Sequence, residues 1–203
     1  MKKKLIIAGI TMLILASCSK KAEQTSIDKQ DKKDTSGIVA KTYTEYTIFK
    51  GQQYCDKSIY VPVKCSEISF KVKFDSSAIY TTINKKNQSD INKLFGFSDN
   101  NAAHHEFSAR FGWRWSDNAL RLFAYDYNNS VMSFKELGTI RIGAENDCSI
   151  KVSGDKYIFT LNGIETTMPR ASTTAVAEGY KLFPYFGGNE LAPHNISIWI
   201  EEL

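Results

Sequence analysis

The stretch FSARFGWRWSDNALRLFAYDY, Phe107 to Tyr127, decides the fold. Two strongly alternating segments flank a short polar break at Asp117 and Asn118. Two-residue loops are the commonest hairpin connections, and Asp and Asn tolerate the positive φ angles that a type I′ turn requires. A hairpin with these two residues at its tip pairs Ser116 with Ala119. Counting back with period two sets Trp115 opposite Leu120, Trp113 opposite Leu122 and Phe111 opposite Ala124 on one face. The other face gathers Arg114 across from Arg121, Gly112 from Phe123, Arg110 from Tyr125 and Ser108 from Tyr127. A loop one residue longer or shorter would mix the two sets, so their chemical separation argues for this register. The apolar set is expected in the core, and the basic and aromatic set is expected to be exposed.

The same alternation recurs on both sides of the hairpin. Tyr43 to Phe49 reads as a first strand, and Ile68, Phe70, Val72 and Phe74 form one apolar face with Ser69, Lys71 and Lys73 on the other. Asp90 to Phe95 reads as one or two helical turns. Ile140 and Ile142 mark a short strand, Cys148, Ile150 and Val152 the next, and Ser153 to Lys156 a turn into Tyr157, Phe159 and Leu161. Asn162 with Gly163 is a second strong hairpin signal. Tyr180 to Phe186 and then Ile196, Ile198 and Ile200 complete the pattern. Many short antiparallel strands without a long helical stretch predict an all-β, two-sheet sandwich over residues 41–203.

Residues 1–17 carry three lysines, the apolar run Leu5 to Leu15, and then Leu15, Ala16 and Ser17 immediately before Cys18. This resembles a bacterial lipoprotein signal peptide, with Cys18 as the thiol that is acylated. A membrane span needs about 20 apolar residues, and this run is shorter. Ser19 in place of Asp after the cysteine favours the outer membrane, to which a triacylated amino terminus would hold firmly. Residues 18–40 are mixed in charge and nearly free of large apolar side chains, which predicts a flexible tether. The chain has 26 Lys and Arg against 22 Asp and Glu; loss of Lys2, Lys3 and Lys4 with the signal leaves 23 against 22. That balance gives no indication of a nucleic-acid partner.

Two further stretches, NKLFGFSD from Asn92 to Asp99 and YKLFPYFGGNELAPHNISIWI from Tyr180 to Ile200, carry a family resemblance together with RFGWRW. The chain resembles small bacterial lipoproteins whose domain is a concanavalin A-like lectin or glucanase jelly roll, over most of Tyr43 to Leu203. The resemblance implies two curved antiparallel sheets and a concave face that, in relatives, often cradles a saccharide. Glucanases of this kind carry acidic residues spaced two and four apart on one strand, and no strand here does. Alginate-lyase relatives use an Arg-bearing strand, a Gln-x-His motif and a Tyr near the C-terminal strands; the strand from Phe107 to Trp115 bears arginines, but the Gln-x-His motif is absent.

The candidate binding residues are therefore Arg110, Arg114, Arg121, Tyr125 and Tyr127, since aromatic rings stack on pyranoses and arginines donate paired hydrogen bonds to carboxylates. An acidic glycan fits this set better than a neutral one. The competing reading has the arginines lying on a solvated sheet face, paired with acids. Asn189 and His194 are a second candidate group. Gly187 and Gly188 would leave a rim where Asn189 meets hydroxyls and His194 acts as a base, or the glycines and Pro193 simply turn the chain into its last strand. His104 and His105 would point to opposite faces of an extended chain, so the two do not share a metal ion there. Calcium could find oxygen ligands among Asp126, Asn128, Asn129, Asn146 and Asp147, although no recognised spacing supports it. Export places the thiols in an oxidising setting, which makes Cys55 with Cys65 the candidate disulfide and leaves Cys148 as a buried free thiol. The sequence favours a carbohydrate-binding lipoprotein. The alternatives are a polysaccharide lyase or glycoside hydrolase, with Tyr125, Tyr185 or His194 as acid or base, and an accessory lipoprotein with no small ligand.

Overall fold

The structure, a computed structural model, describes residues 42–203. The expected signal peptide, Cys18 and the expected tether lie outside the described residues. The described chain forms strands β1 (Thr44–Ile48), β2 (Pro62–Cys65), β3 (Glu67–Phe74), β4 (Asn92–Ser98), β5 (Ser108–Ser116), β6 (Ala119–Asn128) and β7 (Val131–Ile140). There follow β8 (Asn146–Ser153), β9 (Lys156–Leu161), β10 (Ile164–Pro169), β11 (Ala177–Leu182) and β12 (Ile196–Glu202). They make two six-stranded antiparallel sheets, ordered β1-β12-β3-β8-β9-β10 and β2-β11-β4-β5-β6-β7. The architecture is a jelly-roll sandwich.

The β5–β6 hairpin has the expected register from Ser116↔Ala119 to Ser108↔Tyr127. Its tip residues Asp117 and Asn118 take φ angles of 51° and 56°, as a type I′ turn demands. Phe111, Trp113 and Leu122 are wholly buried. The Phe111 ring meets Phe70 and Phe159 at 5.4 and 5.3 Å, and Trp113 meets Phe74 at 5.4 Å, so the hairpin's apolar face packs onto β3 and β9 of the opposite sheet. Asn162 and Gly163 form the second hairpin tip, at φ 49° and 83°.

The helical reading of Asp90 to Phe95 fails. Short 3-10 turns lie before it, at Ser76–Ala78 and Lys85–Ser89, and Asn92 already belongs to β4. The cause is a β-bulge: Lys93 faces Gly112 and Gly96 faces Arg110, so three residues on β4 span two on β5. Leu94 and Phe95 are both buried between two outward-facing residues, which breaks the period of two. Gly96 is required at that point, because a Cβ would sit 2.2 Å from the Ala109 carbonyl oxygen and 2.4 Å from the Arg110 Cβ.

One buried charge pair ties the end of the sandwich together. Asp99 follows β4 and is fully buried; Arg170 follows β10 and reaches it with Nε at 2.8 Å. The Tyr157 hydroxyl donates to the same carboxylate at 2.7 Å, as do the backbone N–H groups of Asn100 at 2.7 Å and Glu178 at 3.1 Å. Burial alone would raise the Asp99 pKa, but the bonds from Arg170, Tyr157 and the two backbone groups outweigh it and hold the carboxyl below its usual range.

Cys55 and Cys65 do not form the expected disulfide; both are free thiols. The Cys55 N–H donates to the Pro184 carbonyl, whereas Cys65 pairs with Ala177 at the other end of β11. The largely extended chain between those two contacts covers about 20 Å, and a disulfide needs Cα atoms within about 7 Å. The segment from Cys55 to Cys65 thus runs along β11 rather than closing a loop. Cys148 is buried and free, with its thiol pKa raised by burial.

Candidate functional site

The face of β4, β5 and β6 turned away from the core forms the floor of a groove of about 520 Å³. Arg110 of β5 and Tyr125 and Tyr127 of β6 lie on this floor, with Lys93 of β4 beside them. Tyr180 of β11 and Tyr185, Gly187 and Gly188 beyond it form one wall. Tyr54, Ile59 and Tyr60, from the segment between β1 and β2, form the rim. Among the described residues no Asp or Glu lines this groove, although Asp90 lines the hollow that adjoins it. A second hollow of about 260 Å³ shares Lys93, Tyr125 and Gly188 with the first and continues toward Met132 and Phe134 of β7.

The walls change the character of the hairpin's second face. It was expected to be open, but Arg110 is only 7% exposed and Tyr125 5%. Tyr125 packs with Ile91 and Phe123 in a small apolar cluster that Tyr127 joins. The segments that bury these residues come from elsewhere in the chain, which is why pairing within the hairpin gave the correct face but the wrong exposure. By contrast Tyr54 and Tyr60 are 67% and 75% exposed. Each packs on a wall tyrosine: Tyr54 meets Tyr185 edge to face with ring centroids 4.9 Å apart, and Tyr60 lies tilted against Tyr180 at 5.6 Å.

The electrostatics are those of a cationic, desolvated floor. The Arg110 Nε is buried and has no hydrogen-bond partner among the described residues. Its guanidinium lies 5.7 Å from the centroid of the Tyr125 ring, and burial lowers its pKa to about 10, so it stays charged at neutral pH. The Lys93 Nζ sits over the same ring at 4.1 Å and donates to the Ile91 carbonyl. Burial, and then the Arg110 charge, pull Lys93 down to about 7. His104 falls to about 4 through burial and the charges of Arg110 and His105, and is therefore neutral. The Tyr180 hydroxyl accepts from the His104 backbone N–H at 3.1 Å and is hydrogen-bonded to its ring Nδ1 at 2.9 Å. Burial raises the pKa of Tyr125 and, with the nearby Tyr54, that of Tyr185.

Of the residues singled out in the sequence, the groove brings together Arg110, Tyr125 and Tyr127. Arg114 instead donates to the Ser89 carbonyl at 2.7 Å and stacks on Phe123 at 4.8 Å. Arg121 is held by Glu136 at 2.8 Å and Asp117 at 3.2 Å, the acid pairing that was the competing reading for these arginines. Asn189 is exposed and does not line the groove. His194 does not line it either; its Nε2 lies 2.8 Å from the Ser77 carbonyl oxygen. The histidine pair sits in a turn rather than an extended strand, and its rings lie 4.0 Å apart on one side. Asp126 and Asn128 end up on β6, Asn146 and Asp147 on β8 of the other sheet. Sequence reasoning missed Lys93, a lone charge inside NKLFGF, and the rim tyrosines Tyr54 and Tyr60, which stand in a polar segment without alternation.

The fold and groove together define a jelly-roll sandwich with a walled cleft on one sheet. Solved structures share this fold. Alginate lyase AlyC3 superposes with a TM-score of 0.56 at 8% identity, over 79% of this chain and 74% of that one. The GH16 protein of the Bacteroides ovatus mixed linkage glucan PUL gives 0.54 at 12% identity, over 81% and 82%. The catalytic domain of an endo-1,3-beta-glucanase (laminarinase) from Thermotoga petrophila gives 0.50 at 10% identity, over 79% and 75%. At such identities the likeness is one of fold. No protein-family profile matches the chain, and no curated protein matches its sequence.

Proposed function

We propose that the protein binds an acidic carbohydrate in this groove and is held at the bacterial envelope, at the outer membrane, by lipid on Cys18. The observation that carries the first part is the unpartnered Nε of Arg110 on a floor without carboxylates. A buried guanidinium N–H lacking an acceptor is costly, and a ligand carboxylate would supply an acceptor in paired geometry. The exposed rings of Tyr54 and Tyr60 offer apolar platforms for pyranose faces. That alginate lyase and glucanases share the fold supports the reading by analogy alone. Glycoside hydrolysis in most families uses two carboxylates, and among the described residues the groove lining offers none. Polysaccharide lysis is the remaining catalytic alternative, and it would reveal itself as unsaturated uronates on incubation with a glycan panel.

On an array of uronate-containing glycans, Arg110→Met should weaken binding by about 2 kcal/mol, roughly thirtyfold. Tyr60→Ala should cost about 1 kcal/mol through lost stacking, with little change in melting temperature. Unchanged affinity in Arg110→Met would remove the groove from consideration. For the anchor, Cys18→Ala should release the protein from membranes on cell fractionation; continued partition with lipid would refute the acylation.

A further inference from the structure

Lys93 is the group in the groove that an Arg110-centred site leaves unused. Its amine hydrogen-bonds the Ile91 carbonyl and lies over the Tyr125 ring, and a Cβ at Gly187 would come within 3.3 Å of it, so it is held at the junction of the two hollows. Charged and titratable groups approach it from each neighbouring element. Arg110 of β5 repels its charge, and Asp90, just before β4, attracts it. Tyr125 of β6 lies beneath it, and Tyr185 shares backbone hydrogen bonds with it. His104, His105, Tyr54, Tyr60, Tyr127 and Tyr180 stand around the same cavity, as does Lys181 of β11, whose charge is paired with Glu202.

We propose that Lys93 is a second contact for the ligand's carboxylate, and that an anion docking beside Arg110 draws a proton onto the Lys93 amine, so that binding is coupled to proton uptake. The inference rests on the acidic-carbohydrate reading of the groove. Its physical basis is that the Lys93 amine and the Arg110 guanidinium are crowded on one desolvated floor whose described lining holds no carboxylate, while Asp90, which partly offsets the lysine charge, lines the adjoining hollow. Burial and the Arg110 charge leave Lys93 partly neutral near pH 7. A bound carboxylate reverses the balance and raises the lysine pKa. The sign follows from linkage. Below about pH 6 the amine is already charged and binding takes up no proton; above about pH 7 binding must bring one in, and affinity falls roughly five- to tenfold per pH unit. His104 is neutral throughout this window, and Tyr125 and Tyr185 titrate above it.

The test is calorimetric titration of the full chain with tetramannuronate, tetragalacturonate and a hyaluronan tetrasaccharide, at about pH 6 and about pH 8, in buffers of contrasting ionisation enthalpy. Whichever ligand binds should take up little proton at the lower pH and between about half and one proton at the higher. Lys93→Arg should bind without that uptake and with a flatter pH profile, because its charge is permanent. Lys93→Met should lose about tenfold or more in affinity at pH 6 and also lose the uptake. Any pH dependence that survives in both variants belongs to another group. A ligand that binds without proton uptake, or whose pH profile is the same in Lys93→Arg, overturns the role of Lys93 and leaves the carbohydrate reading standing. Failure of all three ligands to bind at either pH overturns that reading and this one with it.

Discussion

Arg170→Ala should destabilise the fold by about 3 to 5 kcal/mol, the largest loss expected from any single charge removal here. The guanidinium supplies the countercharge for a carboxylate that has no access to water, and it also donates to the Gly154 carbonyl at 3.2 Å and the Thr174 hydroxyl at 3.0 Å. Without it Asp99 keeps its bonds from Tyr157, Asn100 and Glu178 but remains a buried, uncompensated anion. The effect should depend on pH in a definite direction. Because the folded Asp99 pKa is depressed, the pair contributes its full stability above the unfolded carboxyl value of about 3.9 and loses it as pH falls through the lower folded value. Urea unfolding at neutral pH should therefore show the full difference between the two proteins, and the gap should narrow in the acid range. The double variant with Asp99→Asn should recover part of the loss, since no charge is then stranded. A small effect at neutral pH, or full additivity in the double variant, would mean that water reaches this pair.

Trp113→Ala should cost about 3 to 5 kcal/mol, comparable in size but with a different cause. The ring is wholly buried against Phe74 and in edge contact with Tyr80 at 5.8 Å, so its removal leaves a cavity between the two sheets. Trp113→Phe should be much milder, under about 2 kcal/mol, because it keeps most of the packing and removes the indole Nε1, which is buried without a hydrogen-bond partner among the described residues. Thermal melts of the two variants check both statements. Similar losses in the two would point to the indole nitrogen, through a bridging water, as the important group.

Trp113 also marks what could be read from the sequence. The hairpin was legible because a two-residue turn and a period of two fix every pair once the tip is known, and no distant residue is needed to choose between registers. The sandwich followed from repeating that argument. Legibility ended where geometry depends on partners far along the chain. The bulge in β4 places Lys93 and Gly96 three residues apart on one face, a spacing that mimics a helix, and so the second cation was missed. The burial of Arg110 and Tyr125 comes from walls contributed by Tyr180 to Gly188 and Tyr54 to Tyr60, which no local pattern places. Arg114 and Arg121 look equivalent to Arg110 in sequence; only the positions of Ser89, Glu136 and Asp117 separate them. Cys55 and Cys65 are near in number, yet β11 lies alongside and keeps them apart.

The strand order bears on when the protein can acquire its shape. β12 lies between β1 and β3, and β11 between β2 and β4, so each sheet has an interior position filled by one of the last strands in the described chain. A nascent polypeptide that has been made only as far as β10 can close the β5–β6–β7 and β8–β9–β10 meanders, but β1 and β2 have no neighbour with which to pair until the later strands emerge. β1 and β2 can therefore take their places in the sheets only after β11 and β12 have been made. A chain in transit, whether on the ribosome or across a membrane, remains free of its final topology until residues near Glu202 arrive to bridge strands made more than a hundred positions earlier.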